Sequence, residues 1–303
     1  MHKVLILMST YNGREKICNQ VKSIMGQKKV ESYIYIRDDG SDEETIDILK
    51  HIAEQYDGRV KVSFQKNVGW KQSFLNLVYA ADNVYDYYGF SDQDDIWQED
   101  KLISCIDVAE HDGIQGPKLV HCSSLSVTPD LKQREEQEYR VPVPPSFKAA
   151  IATEYFQGCG MVWNNAAMTI IQKYHIVNKN ISHDYWVGLI CYLTGNIYFC
   201  DRPLFYHIRY ENNSSQDGNR KKGRIKRLKM VLSGENAYMN PSQDLIYGYS
   251  DYLSEEKLHF LKALKDYKTN QRYKLEILCD RDFKRPSVGA TLLLKMSVLL
   301  DKY

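Results

Sequence analysis

Several things are missing from this chain, and each absence removes a class of explanation. Its seven cysteines, at positions 18, 105, 122, 159, 191, 200 and 279, form no CxxC pair and show no metal-ligand spacing. An odd, scattered set in 303 residues points to reduced thiols rather than to a disulfide framework. No apolar run approaches the roughly 20 residues that a membrane span requires, so an integral membrane protein is not expected. Met1-His2-Lys3 leads straight into Val4-Leu5-Ile6-Leu7-Met8, too short for a signal-peptide core and without a cleavage site. The expected location is therefore cytoplasmic. Charge of one sign is missing too, and a net charge of +1 argues against nucleic acid as the main partner. There is no P-loop of the GxxxxGKS/T kind and no Gly-rich, basic phosphate loop after the first strand, which counts against a nucleotidyltransferase. No internal repeat is present.

What is there is ordinary for a soluble globular protein, with 43% hydrophobic and 26% charged residues. The length suits one large domain, or a domain with an appendage. Tyrosine is abundant at 23 residues, which suits carbohydrate-facing or interfacial surfaces without establishing either.

The first hundred residues alternate strand and helix signals. The continuous apolar run 4–8 predicts a strand covered on both faces. Helix periodicity follows over 15–25, then a strand over 33–37, a helix over 43–56, a strand over 60–65, a helix over 72–81 and a strand over 85–90. This order predicts a mostly parallel sheet with helices on both faces, whose ligands bind beyond the carboxyl ends of the strands. The polar turns that follow the strands should share one rim. Beyond a further strand at 118–126 the rhythm is lost. Residues 129–145 read as a loop excursion and 166–174 as a helix. Residues 186–193 look helical, with two short strands at 196–200 and 204–208. The last third has helix periodicity.

Three carboxylates sit directly after a strand in Ser91-Asp92-Gln93-Asp94-Asp95-Ile96-Trp97. Such a turn can hold a hard divalent cation, which takes oxygen ligands and also holds substrate phosphate. A polar turn before a helix, with Asp95 as N-cap, is the competing reading.

Five ordered features carry a resemblance: Ser9-Thr10-Tyr11-Asn12-Gly13, Asp38-Asp39-Gly40-Ser41, Asn67-Val68-Gly69, Ser91-Asp92-Gln93-Asp94-Asp95 and His183-Asp184. Over residues 3–215 the chain resembles family 2 glycosyltransferases, the inverting, nucleotide-sugar-dependent enzymes. The resemblance implies a GT-A, Rossmann-like α/β fold at 1–215, with 216–303 as a helical C-terminal extension. The form Ser-Asp-Gln-Asp-Asp-Ile-Trp looks most like bacterial rhamnosyltransferases of surface polysaccharide synthesis. It favours dTDP-rhamnose as donor, with UDP-hexose and UDP-N-acetylhexosamine donors still open. A catalytically silent scaffold relative also remains open.

Site roles follow from that resemblance. Tyr11 offers a ring face to the nucleobase, the backbone near Ser9 approaches it, and Asp39 accepts from a pyrimidine N–H. Asp38 holds the turn or the ribose. Asp92 approaches the ribose or donor sugar, and Asp94 ligates Mg2+ or Mn2+ across the diphosphate. Lys101 either reaches a phosphate or lies on a solvated helix face. Trp97 packs the rim. Asp184 is the implied base, and Trp186 either stacks on the acceptor or is buried. Cys159, in Gly158-Cys159-Gly160, is not expected to be a nucleophile.

One departure stands out. Relatives carry a histidine before an Asn-rich segment, and alignment on Asn212 and Asn213 puts Tyr210 there. His207, three residues earlier, joins Asp92 and Asp94 as a metal ligand only if the strand is shifted or bulged. Arg209 is the alternative contact to the diphosphate. The basic run at 219–229 and the Leu-rich segment 288–300 suggest peripheral contact with a membrane carrying a polyprenyl-diphosphate-linked glycan acceptor. Packing on the core or in a homodimer is the competing reading.

Overall fold

The computed structural model describes residues 1–132, 144–209, 220–233 and 238–303; at 220–224, 226 and 227 only the backbone is described. The apolar run Val4–Met8 is the buried centre of β1 (His2–Thr10). Parallel neighbours cover it on both sides: β2 (Val30–Asp38), itself flanked by β3 (Val60–Phe64), and β4 (Tyr87–Ser91). Helices α1 (Lys16–Met25), α2 (Glu43–Gln55) and α3 (Trp70–Ala80) make the crossovers.

Register decides where the site can be. Thr10 pairs with Asp38, Asp38 with Phe64, and Met8 with Ser91, so the strands end almost level. The turns that follow therefore emerge side by side along one rim, as the alternating pattern predicts.

The other half of the sheet changes direction. Its order is β3-β2-β1-β4-β7-β6-β8-β5. Strand β7 (Met161–Asn164) runs antiparallel between β4 and β6 (Lys118–Val127). Strand β8 (Asn196–Ile208) lies parallel to β6, and the two-residue β5 (Ile96–Trp97) pairs antiparallel with β8. The two strands expected at 196–200 and 204–208 are thus one. Its register against β6 jumps from Cys200 to Pro203 to Phe205, a bulge that accommodates a proline lacking an N–H. Asp95 enters β5 and not a helix, so it is no N-cap; α4 (Lys101–Glu110) begins after Asp100. Helices α6 (Asn165–Ile171) and α7 (His183–Thr194) complete this unit.

The chain divides into two compact units. The first holds Met1–Val143, Phe156–Lys173 and Ser182–Glu211, and the second holds Pro144–Tyr155, Tyr174–Ile181 and Asn212–Tyr303. The second unit is therefore more than a tail from 216, because two earlier segments belong to it. It contains α5 (Phe147–Ala152), α8 (Arg220–Ser233), α9 (Ser242–Tyr249), α10 (Glu255–Asp266), α11 (Gln271–Cys279) and α12 (Val288–Leu299). Leu261, Leu264, Tyr267, Phe283, Leu294 and Tyr303 are buried in its interior. Lys148 Nζ on α5 pairs with Asp280 at 2.9 Å, tying the early segment to the late one. No helix among the described residues is long and apolar enough to cross a membrane.

Candidate active site

The rim turns are locked to one another by hydrogen bonds. Tyr11 N donates to Gln93 Oε1 at 3.0 Å, and Gln93 Nε2 donates back to Tyr11 O at 3.2 Å. Asn12 N donates to Ser41 Oγ and Asn12 Oδ1 accepts from Asp42 N, each at 2.9 Å. Asn12 has φ 47°, a left-handed conformation that asparagine tolerates better than most residues. Asp38 holds its own turn, accepting from Gly40 N at 3.2 Å and Ser41 N at 3.1 Å. Asp42 caps α2, its side chain accepting from Thr45 N at 3.0 Å.

Asp39 is 2% exposed and occupied on both oxygens. Its Oδ1 accepts from Val68 N at 3.0 Å, its Oδ2 accepts from Gly69 N at 2.9 Å, and Arg37 forms a buried ion pair with it. The second and third motifs of the sequence thus meet in one carboxylate, whose four lone-pair sites leave room for a further donor. Arg37 Nη1 also reaches Ser73 Oγ at 3.0 Å, and Ser9 Oγ donates to the same hydroxyl at 2.6 Å. Ser9 is therefore half-buried beside Asp39's network, while the Tyr11 ring is 51% exposed. Gln93, Arg37 and Ser73 had no assigned role in the sequence: apart from Asp39, two residues from Arg37, their partners lie 29 or more residues away.

The acidic turn is crowded. Cys159 Sγ donates to Asp92 Oδ2 at 2.9 Å, and Asp92 N returns a contact to the same sulfur at 3.3 Å. Asp95 is 1% exposed; its Oδ1 lies 2.8 Å from His207 Nδ1 and its Oδ2 has no hydrogen-bond partner among the described residues. Ligand atoms of Asp92, Asp95 and Cys159 all lie within 4.8 Å of one another. Burial, then the charge of Asp95, push Asp92 up to about 7. The same two causes raise Asp94, which lines a small cleft with Glu15, Lys16 and Asn19. Burial opposes protonation of His207, but its bond to Asp95 and that residue's charge outweigh it, and the net shift is upward. Crowded carboxylates with an orphaned buried oxygen form a site short of positive charge, and hard oxygen donors suit Mg2+ or Mn2+. Burial raises the Cys159 thiol well above its ordinary range, so it acts as a neutral donor.

His207 lies beyond the bulge in β8 and reaches Asp95, although it sits three residues before the position the motif alignment marks. Tyr210, Asn212 and Asn213 lie outside the described residues. Arg209 is half-buried, with its N donating to Val127 O at 2.9 Å, and its charge acts on His207. Lys101 is neither on a solvated face nor at the rim. It is fully buried, with Nζ 3.1 Å from the Trp97 ring centroid, and burial lowers its pKa.

Asp184 stands in the first turn of α7. His183 anchors that turn: its ring stacks on Phe74 at 4.0 Å and meets Phe90 edge-on at 4.5 Å. Burial lowers His183 to about 4, so the imidazole is neutral. Asp184 remains half-buried, accepting from Tyr185 N at 2.8 Å. Trp186 is 0% exposed and part of the core, not a surface for an acceptor. The 3-10 turn Gly158–Gly160 joins the two acidic groups. A Cβ on Gly158 would lie 2.8 Å from His183 Nε2 and 3.6 Å from Asp184 Cβ, while the next residue, Cys159, holds Asp92.

The mixed α/β sheet, with its parallel half and an acidic turn after β4, has the GT-A fold of solved glycosyltransferases. The sequence profile described as Glycosyl transferase family 2 matches residues 5–168, and the chain belongs to that family. It is 29% identical over 238 residues to the dTDP-rhamnosyl transferase RfbG of Shigella flexneri, covering 74% of this chain and 78% of that protein. Among solved structures it is similar to S. aureus TarS 1-349 in complex with UDP-GlcNAc, with a TM-score of 0.54 at 14% identity, covering 98% of this chain and 89% of that one. It is also similar to the mannosyltransferase PcManGT from Pyrobaculum calidifontis in complex with GDP-Man and Mn2+, with a TM-score of 0.51 at 12% identity, covering 98% and 85%.

Proposed function

We propose that the chain is an inverting rhamnosyltransferase, moving rhamnose from dTDP-rhamnose to a glycan acceptor in bacterial surface polysaccharide synthesis. The observation that carries the mechanism is the Gly158–Cys159 turn, which sets Asp184 against one residue and Asp92 against the next. The donor choice is supported by similarity to the Shigella flexneri protein over 74% of this chain.

In this reading the Tyr11 ring, the Ser9 backbone and the remaining capacity of Asp39 receive the thymine. Asp92 faces the ribose or donor sugar, and Arg209 supports the diphosphate. Asp184 accepts the proton of the acceptor hydroxyl as its oxygen attacks the anomeric carbon. The bond from that carbon to the diphosphate oxygen breaks, and dTDP leaves with the electron pair. Mg2+ or Mn2+, held by Asp94 and Asp92 with His207 and Asp95 beside them, supplies neutralisation of the leaving diphosphate. Lys101 has no part in this, because its ammonium is enclosed.

The acceptor in this reading is linked to polyprenyl diphosphate at the inner face of the plasma membrane. Helix α12 exposes Val288, Leu292 and Leu299, and α8, a basic stretch by sequence, exposes Ile225 and Leu232. Apolar residues next to cations suit an anionic lipid interface. Co-sedimentation with phosphatidylglycerol vesicles but not phosphatidylcholine vesicles is the expected result, and a homodimer in their absence is the competing one.

The donor is tested by thermal shift with the dTDP, UDP and GDP series, each with and without Mn2+ or Mg2+. A metal-dependent shift with dTDP-rhamnose is expected. A shift confined to UDP-sugars removes rhamnose and leaves a UDP-hexose or UDP-N-acetylhexosamine transferase. Binding without any donor turnover leaves a silent scaffold.

A further inference from the structure

The chain has four tryptophans, and three of them, Trp97, Trp163 and Trp186, are at most 4% exposed. The fourth, Trp70, is 51% exposed. A lone exposed aromatic needs no explanation. Its neighbours supply one. The Trp70 ring stands perpendicular to the His183 ring, with centroids 5.8 Å apart at 87°, and Lys71 Nζ lies over it at 5.5 Å. His183 is itself clamped on Phe74, one turn along α3 from Trp70. The indole is therefore positioned by the same aromatic pile that fixes Asp184.

Helix α3 separates two functions by its faces. Ser73 looks toward β1 and β2, bonding Ser9 and Arg37 in the Asp39 network. Phe74 looks toward α7, touching His183 and Phe90. Trp70, four residues before Phe74, shares the α7 side. Its ring thus packs against the residue that precedes Asp184, while the backbone just before it, at Val68 and Gly69, holds Asp39.

We propose that Trp70 is the stacking platform for the acceptor saccharide, its indole face receiving the C–H face of the pyranose whose hydroxyl reaches Asp184. The proposal rests on the reading of Asp184 as the base. An indole offers a broad, stiff apolar surface with little entropy to lose, which suits the C–H face of a pyranose.

Two measurements test it. Acrylamide quenching of the native protein reads mainly Trp70, because the other three tryptophans are buried. Methyl rhamnoside, methyl N-acetylglucosaminide and dTDP serve as probes, each in millimolar excess. Protection by a saccharide and not by dTDP is expected. Protection by dTDP alone would make Trp70 a nucleobase contact and overturn the proposal, as would no protection by any glycoside.

In steady-state transfer, Trp70→Ala should raise the acceptor KM about tenfold and Trp70→Phe should restore most of it, with the donor KM moving less than twofold. An equal rise in both KM values, or in neither, contradicts the platform. Quenching needs no turnover, so it stands even if Asp184 proves not to be the base. Conversely, wild-type transfer by Asp184→Asn would remove the base while leaving the Trp70 result to be judged on its own.

Discussion

The side-chain amide of Gln93 brackets the backbone of Tyr11, accepting from its N–H at 3.0 Å and donating to its carbonyl at 3.2 Å. The middle residue of Asp92-Gln93-Asp94 thereby ties the acidic turn after β4 to the turn after β1. Gln93→Ala should free the Tyr11 loop and raise the donor KM several-fold, with a smaller change in kcat, since two hydrogen bonds of about 1 kcal/mol each are lost. Gln93→Glu should be as damaging, because a carboxylate cannot donate to the Tyr11 carbonyl. Donor titration by calorimetry checks both.

Gly158 leaves no room for a side chain. A Cβ there would sit 2.8 Å from His183 Nε2, and His183 is backed by Phe74 and cannot retreat freely. Gly158→Ala should displace the first turn of α7 and lower kcat by about tenfold or more while sparing donor affinity, since misplacement by a fraction of an ångström penalises the base first. A normal kcat would show that Asp184 is not held through this contact.

Arg37 serves three partners at once: Asp39, Ser73 Oγ at 3.0 Å and Lys66 O at 3.1 Å. Removing one member of a buried pair strands the other charge. Arg37→Leu should cost about 3 kcal/mol in urea unfolding, at the lower end for such a deletion because Asp39 keeps two backbone N–H bonds. Arg37→Lys should recover only part of it, since an ammonium cannot span the same fork.

Acid should weaken the fold through two neutral histidines. Burial lowers both His121 and His183 from the ordinary 6.5 to about 4, and His121 Nε2 accepts from Gln157 N at 3.2 Å. The unfolded chain takes up these protons first as pH falls, so their contribution is fully present above 6.5 and is lost between 6.5 and about 4. The slope is on the order of 1.4 kcal/mol per pH unit for each histidine. Urea midpoints across this range should show it, and His121→Gln should remove about half.

The parallel half was legible because its signals are local. An apolar run, a polar turn and an amphipathic helix repeat three times, and Val4–Met8 could only be a strand covered on both faces. The level strand ends then put the polar turns on one rim. The other half depends on pairings that no local pattern announces. Strand β7 inserts antiparallel between β4 and β6, and the gap between the two strands read at 196–200 and 204–208 is a bulge within one. His207 meets Asp95 beyond that bulge, so the acidic turn was legible while the residues packed against it were not. Lys101 shows the same limit. One turn after Trp97, a lysine reads as solvated, yet the Trp97 ring and the core enclose it. Asp95, for which a helix cap was the competing reading, is the most buried carboxylate of its turn and leads into β5, which pairs with β8.

The most direct test of the account is Asp184→Asn, measured by single-turnover transfer from dTDP-rhamnose alongside donor binding in the presence of Mn2+. The account predicts transfer reduced by at least about a hundredfold, the range expected for loss of a general base, with donor affinity unchanged. Wild-type transfer by this variant would contradict it.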